Sequence, residues 1–232
     1  MFSISKRLKT LAHYVPQGST VADIGTDHGY LPVYLVTKGI SPRAIAADVR
    51  QGPLEAARSN VSQYQVQDKI DLRLGNGLQV LKPGEADTIV IAGMGGGTIR
   101  DILQASPAAA KGARRLILQP MADEEDLRHF LLQQGWALVD ETLLLEDGRL
   151  YLVVVAERGQ EDIGNPLLLE IGPRLWEKKH PLLMEHLQGL IQKYRRVLAG
   201  LEKSTQSAAR EKGHIIKEKV AELEKLARSL AL

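Results

Sequence analysis

The chain has 232 residues, is 44% hydrophobic and 25% charged, carries a formal net charge of +2 and contains no cysteine. This length suits one α/β domain with a sizeable core and a smaller appendage. The lack of cysteine excludes disulfides and thiolate zinc sites and fits the reducing cytoplasm, where we expect the protein to act. No stretch approaches the ~20 apolar residues of a membrane span, and the charged N-terminus does not resemble a signal peptide, so no membrane partner is expected.

The charge is unevenly distributed along the chain. Residues 165–232 carry 13 basic and 8 acidic side chains, whereas residues 1–164 carry 17 basic and 20 acidic ones. A faintly acidic body with a basic tail suggests a polyanionic partner that binds through the tail. A solvated helical surface explains the same distribution equally well.

Apolar runs alternate with helical patterns over the first two thirds of the chain. After a short amphipathic helix over 3–13, strands are predicted at 20–24, 44–47, 70–74, 87–92 and 115–119, with helices among them. Two more strands, joined through Asp147-Gly148, form a hairpin. The pattern predicts an α/β fold, a Rossmann-like sheet of seven strands whose ligands bind where the parallel strands end.

The pattern changes from residue 167 onward. Apolar residues recur at steps of three and four from Leu183 to Leu201 and again from Ile216 to Leu230, with a polar break over 204–213. This spacing predicts two antiparallel helices, a coiled-coil-like C-terminal hairpin. We therefore expect a Rossmann-like domain over 1–160 and a helical hairpin over 165–232.

The stretch VADIGTDHGYLP, residues 21–32, is the most informative loop. A buried strand leads into a turn with Gly25 and Gly29, where the backbone can approach a ligand that a Cβ would touch. The glycine spacing does not match the G-x-G-x-x-G of nicotinamide-binding proteins, and the phosphate-binding G-x-x-x-x-G-K-[ST] is absent. Asp23 lies on the strand before the loop, and Asp48 ends the second strand, where a carboxylate can accept both ribose hydroxyls.

This combination resembles the class I S-adenosylmethionine-dependent methyltransferases. The resemblance implies S-adenosyl-L-methionine as the cofactor. It also implies that Asp23, Gly25 and Gly29 line the donor loop, that Asp48 holds the ribose, and that Asn76, after the third strand, lies beside the adenine.

Many members of that family have glycine where this chain has Asp27. A carboxylate there, beside His28, can reach the ammonium group of the donor or the substrate. The alternative is a turn former that satisfies nearby N–H groups. His28 is assigned to the donor site because it lies in the same loop, where it can contact the donor or the base. The alternative is a structural role for His28.

The loop after the fourth strand reads AGMGGG, residues 92–97. Methyltransferases that act on exocyclic amines usually carry D/N-P-P-Y/F here, so this acceptor class loses support. The glycines, with Gly93 assigned to the donor site, either expose N–H groups or let the strand and helix pack closely. Met94 is a candidate wall of the catalytic pocket, with core filling as the alternative.

Together with the LQP of the fifth strand, residues 118–120, and the hairpin, these motifs resemble one bacterial family over essentially the full chain. It is the family of tRNA (adenine-N1)-methyltransferases that act at position 22. The resemblance implies a tRNA substrate. Adenine N1 is largely unprotonated at neutral pH and attacks a methyl donor directly, so no metal is expected. Asp27 is the candidate catalytic residue, accepting a hydrogen bond from the N6 amino group.

The basic tail then supplies phosphate contacts, which add affinity without sequence information. The candidate substrate-binding residues are Lys178, Lys179, Lys193, Arg195, Arg196 and Lys203. We expect a monomer or a weak dimer. Two other hypotheses stay open: a small-molecule methyltransferase whose tail serves dimerisation, and a non-catalytic module that uses the hairpin for protein contacts.

Overall fold

The computed structural model describes residues 3–201 and 207–230, which divide into two compact units, Met1–Asp162 and Ile163–Leu232. In the first unit the strands are β1 (Val21–Ile24), β2 (Ala44–Asp48), β3 (Ile70–Leu74), β4 (Thr88–Met94), β5 (Arg115–Pro120), β6 (Trp136–Glu146) and β7 (Arg149–Arg158). Its helices are α1 (Lys6–His13), α2 (Tyr30–Thr37), α3 (Gln51–Gln63), α4 (Gly96–Ala105), α5 (Pro107–Gly112) and α6 (Glu124–Gln133).

The seven strands form one sheet in the order β3-β2-β1-β4-β5-β7-β6. Strands β1 to β5 pair in parallel, and β7 runs antiparallel to both β5 and β6. The predicted Rossmann-like sheet of seven strands with a terminal hairpin is confirmed. Because the five parallel strands end at one edge, the loops that follow them lie together there.

Helices cover both faces of the sheet, which is why β1 and β2 are buried along their whole length. Helix α2 has apolar residues on nearly all sides. Leu31 and Leu35 join a core with α1 and the middle strands, while Val33 and Val36 pack with α3, β2 and β3. This two-sided core fixes the strand ends that carry the candidate site.

The second unit is helical, with α7 (Leu167–Ile171), α8 (Pro173–Glu177), α9 (Leu183–Leu201) and α10 (Ser207–Leu230). Helices α9 and α10 pack antiparallel. Arg195 pairs with Glu224 at 2.7 Å, and a Cβ built on Gly213 would lie 3.8 Å from Leu198 Cδ1. The predicted C-terminal hairpin is confirmed. Of the helices described, none is long and apolar enough to cross a membrane.

The predicted polar break over 204–213 is wrong for residues 207–213, which form the first two turns of α10. The prediction followed apolar periodicity, but alanine, arginine, glutamate and lysine favour a helix without an apolar stripe. Residues 204–206, like Lys203, lie outside the described residues. The short helices α5, α7 and α8 were not predicted, although Pro107 and Pro173 stand at first helical positions, where proline is favoured.

Candidate active site

The glycine loop after β1 is fastened to β2 by its backbone. The N–H groups of Gly25 and Thr26 both donate to the carbonyl oxygen of Ala47, at 2.8 and 2.9 Å. Gly25 and Gly29 have φ angles of +77° and +66°, which glycine adopts without strain. A Cβ on Gly29 would also lie 3.0 Å from the Cβ of Ala57. Both glycines are therefore required by the turn itself.

Asp23 is buried just before this loop. Burial raises the pKa of its carboxyl to about 6, and the nearby Thr26 hydroxyl and Arg7 guanidinium partly offset that effect. The Thr26 hydroxyl does not meet hydrogen-bond geometry with Asp23, and its oxygen is buried without a partner in the described part of the chain. The start of the loop thus brings a buried acid and a buried hydroxyl close together.

Asp48 ends β2 and is buried as well. Its Oδ1 accepts the N–H of Arg50 at 2.7 Å, which orients the carboxylate. The next residue, Val49, is 64% exposed, and Leu74, the register partner of Asp48 on β3, is 57% exposed. Asn76, two residues beyond Leu74, presents an exposed amide. A carboxylate, two uncovered apolar side chains and an amide therefore meet where β2 and β3 end.

These groups fit a nucleoside ligand. A carboxylate accepts ribose hydroxyls, apolar side chains flank a flat base, and an amide contacts the polar edge of that base. The glycine loop follows the neighbouring strand β1, where the rest of such a ligand would extend. The predicted donor residues Asp23, Gly25, Gly29, Asp48 and Asn76 all lie at this one edge.

Asp27 and His28 stand on the outer side of the loop. The side chain of Asp27 is 77% exposed, and its Oδ1 lies 3.3 Å from His28 Nε2. The His28 ring stacks on the Tyr30 ring with centroids 5.4 Å apart. The backbone carbonyl oxygen of His28 accepts a hydrogen bond from Asn60 Nδ2 at 2.7 Å. Among the described residues Asp27 accepts no backbone N–H, so the turn-former alternative gains no support from the structure.

The segment predicted as the loop after the fourth strand, residues 92–97, forms the end of β4 and the start of α4, with a β-bulge at Gly93, whose φ is +75°. Beyond the bulge, the Met94 side chain covers Gly25, because a Cβ there would lie 2.1 Å from Met94 Cε. Gly96 donates its N–H to the Ala122 carbonyl at 2.7 Å, and a Cβ on it would lie 2.5 Å from the Asp123 oxygen. Close packing thus accounts for Gly96, while Gly93 permits the bulge that places Met94 beside the glycine loop.

The tail candidates that the structure describes lie on or next to the helices of the second unit. Lys178 and Lys179 follow α8, and Lys193, Arg195 and Arg196 are exposed on α9. Arg195 is engaged with Glu224 of α10, and Lys193 Nζ lies 5.5 Å from the centre of the Tyr194 ring. Lys203 lies outside the described residues. In the part of the chain that the structure covers, no cluster of three or more aspartate, glutamate or histidine side chains could hold a metal ion.

Two kinds of residue at the edge where the parallel strands end were not predicted as part of the site. Val49 and Leu74 carried a readable signal, since each is an apolar residue at a predicted strand end, and the structure leaves both exposed. Arg7 carried none, and Gln119 was noted only as part of the LQP segment, because the hydrogen bond that joins the two residues spans 112 positions of the chain.

Comparison with known proteins places this geometry in a family. A family model described as a methyltransferase domain matches residues 4–154. The tRNA (adenine(22)-N(1))-methyltransferase of Bacillus subtilis is 42% identical over 187 residues, which cover 78% of this chain and 79% of that protein. The chain belongs to the tRNA (adenine(22)-N1)-methyltransferase family.

Solved structures agree with this membership. The crystal structure of the B. subtilis m1A22 tRNA methyltransferase has a TM-score of 0.89 at 33% identity and covers 98% of this chain and 100% of its own. The Streptococcus pneumoniae protein Sp1610, solved in complex with S-adenosyl-L-methionine, has a TM-score of 0.87 at 34% identity and covers 97% and 100%. Among the hypotheses from sequence, these matches support the tRNA methyltransferase over the small-molecule enzyme and the binding module.

Proposed function

We propose that this chain transfers a methyl group from S-adenosyl-L-methionine to N1 of adenine 22 in tRNA. The observation that carries the proposal is that Asp48, Val49, Leu74 and Asn76 lie at the same edge of the sheet as the glycine loop, in a chain of this family. The same edge carries Asp27 and Met94, which give the acceptor base a polar and an apolar neighbour.

The donor is held by groups that the fold already orients. Asp48 accepts the ribose hydroxyls, since its Oδ2 has no partner among the described residues while Oδ1 holds the Arg50 N–H. Val49 and Leu74 flank the adenine of the donor, and Asn76 contacts its polar edge. The other residues that we assign to the donor site lie on the glycine loop or beside it: Asp23, Gly25, His28, Gly29 and Gly93.

The donor, when bound, supplies an electrophilic methyl group on a sulfonium centre. The acceptor N1 has an in-plane lone pair, so the enzyme mainly has to hold the base with N1 roughly 3 Å from that methyl group. The exposed Asp27 carboxylate accepts from the N6 amino group, which orients the ring and offsets the positive charge that develops on it. Met94 forms the apolar wall beside the glycine loop.

The tRNA is bound partly through the helical second unit. Its exposed cations contact phosphates, chiefly Lys178, Lys179, Lys193 and Arg196. Arg195 contributes less to phosphate binding, because it also pairs with Glu224. The target base must leave its stack for N1 to be reached. We place the enzyme in the cytoplasm with its tRNA substrate and expect a monomer or a weak dimer, which sedimentation analysis would distinguish from a tight dimer.

The test is transfer of labelled methyl groups to bulk tRNA from cells that lack the modification, followed by identification of the nucleoside. The expected product is 1-methyladenosine, and Asp48→Asn serves as a variant with impaired donor binding. A labelled N6-methyladenosine, or transfer to a small molecule and not to tRNA, would contradict the proposal.

A further inference from the structure

Gln119 is a fully buried polar side chain in the LQP segment at the end of β5. Its Oε1 accepts two hydrogen bonds, from the Gly93 N–H at 3.1 Å and from Arg7 Nη1 at 3.0 Å. Its Nε2 donates to the Pro120 carbonyl oxygen at 2.9 Å. Both ends of the carboxamide therefore make hydrogen bonds. If the amide were flipped, its Nε2 would face the N–H donors of Gly93 and Arg7, and its Oε1 would face the Pro120 carbonyl oxygen.

The contact to Gly93 replaces a ladder hydrogen bond. Ala92 pairs with Gln119 and Met94 pairs with Pro120, so Gly93 is the extra residue of the β-bulge and has no partner strand residue. A bulged N–H that the ladder leaves unpaired needs another acceptor when it is withdrawn from water. The Gln119 side chain supplies that acceptor and holds the chain in the conformation that aims Met94 at Gly25.

Arg7 reaches this amide from a different part of the chain. Its own N–H donates to Glu146 Oε1 at 3.2 Å, and its guanidinium lies 5.6 Å from the centre of the Tyr151 ring, so α1 is anchored on the β6–β7 hairpin. From that anchor, the guanidinium donates to the oxygen that holds Gly93. A charged donor strengthens such a hydrogen bond and selects one orientation of the amide.

We propose that Gln119 and Arg7 are positioning residues of the methyl-transfer site. Gln119 fixes the Gly93 bulge and thereby the Met94 wall against the donor loop, and Arg7 acts through Gln119 by fixing its carboxamide. The inference rests on the proposed function and adds to it two residues that hold other residues of the site in place.

The test compares Gln119→Leu, Arg7→Met and the double variant, with Lys9→Met as the matched control. Lys9 is exposed on α1, so its replacement removes the same charge from the same helix and leaves the network intact. For each variant we would measure kcat and KM with tRNA, donor affinity by calorimetry, the melting temperature, and hydrogen exchange of the Gly93 amide by NMR.

We expect kcat to fall about 10- to 100-fold in Gln119→Leu, with donor affinity within about threefold of wild type, because a wall displaced by about 1 Å spoils the in-line geometry. The double variant should be no slower than Gln119→Leu, since Arg7 acts through that residue. Gly93 exchange should accelerate in Gln119→Leu and in Arg7→Met, and Lys9→Met should match the wild type.

Additive losses of kcat in the double variant, or a lowered melting temperature with unchanged kcat, would overturn the positioning role. Slow Gly93 exchange in Gln119→Leu would overturn the network itself. If the wild-type enzyme transferred no methyl group to tRNA, the proposed function would fail, whereas the exchange measurement would still test the Gln119 contact.

Discussion

Asp48 and Leu74 are register partners at the ends of β2 and β3, so a buried carboxylate stands beside an apolar side chain that is 57% exposed. Packing alone does not favour an uncovered leucine at a strand end. A flat, partly apolar ligand that also carries hydroxyl groups accounts for both residues. This pair is therefore where we propose that the nucleoside part of the methyl donor binds.

Asp48→Ala should weaken binding of S-adenosyl-L-methionine by about 10- to 100-fold, because hydrogen bonds to a charged group contribute about 1.5–3 kcal/mol. Calorimetry measures this directly. Asp68→Ala, an exposed carboxylate in the turn before β3, is the control that should keep wild-type affinity. Equal affinity in Asp48→Ala and wild type would remove the ribose assignment.

Asp23 should lower the free energy of unfolding as pH rises, whereas carboxyl groups that form ion pairs usually have the opposite effect. Burial raises its pKa from 3.8 to about 6, so the folded state holds the proton more tightly than the unfolded state does. Its contribution to the free energy of unfolding therefore falls as pH rises from about 4 through about 6, by up to about 3 kcal/mol. The melting temperature of Asp23→Asn relative to wild type should be several degrees higher at pH 7.5 than at pH 5. A difference that does not vary with pH would contradict the burial of a titrating carboxyl.

Gly96→Ala should disrupt the start of α4, because the new Cβ would lie 2.5 Å and 2.7 Å from the carbonyl oxygens of Asp123 and Ala122. We expect a loss of about 1–3 kcal/mol in denaturant unfolding, as for other overpacked sites, together with lower methyl transfer. Gly97→Ala is the matched control, since its Cβ would approach only Asp123 Oδ2, at 3.8 Å. Similar stability of the two variants would show that the close packing at Gly96 is not required.

Arg196→Ala and Arg195→Ala should differ in their effects although the residues are adjacent on α9. Within the described residues, Arg196 makes a long contact to the Gln192 carbonyl oxygen, at 3.4 Å, and its side chain is exposed, whereas Arg195 pairs with Glu224. Arg196→Ala should lower the slope of log affinity for tRNA against log salt by about 1. Arg195→Ala should lower that slope less. Filter binding over a salt series measures both, and unchanged slopes would argue against RNA contact through α9.

The sequence predicted the parts of the molecule that local patterns control. Apolar runs ended by glycine or an acid marked β1 and β2 with Asp23, Gly25 and Asp48 in place. The start of α10 was misplaced because its first two turns favour a helix through residue propensity and not through an apolar stripe.

Long-range contacts explain most of what could not be predicted. The Arg7–Gln119 hydrogen bond joins α1 to β5, and no local pattern announces it. The β-bulge at Gly93 likewise depends on a neighbouring strand, so the AGMGGG loop left two interpretations open. The packing of Gly96 against Ala122 and the placement of Met94 on Gly25 became readable only once the strand order was known.

The most direct test of the central claim uses two unmodified tRNA transcripts that differ only at position 22, one with adenine and one with guanine. After incubation with the enzyme and S-adenosyl-L-methionine, methylation at N1 blocks base pairing and stops primer extension at that position. We expect a stop at position 22 and recovery of 1-methyladenosine from the adenine transcript, with neither from the guanine transcript. Equal methylation of both transcripts, or of neither, would contradict it.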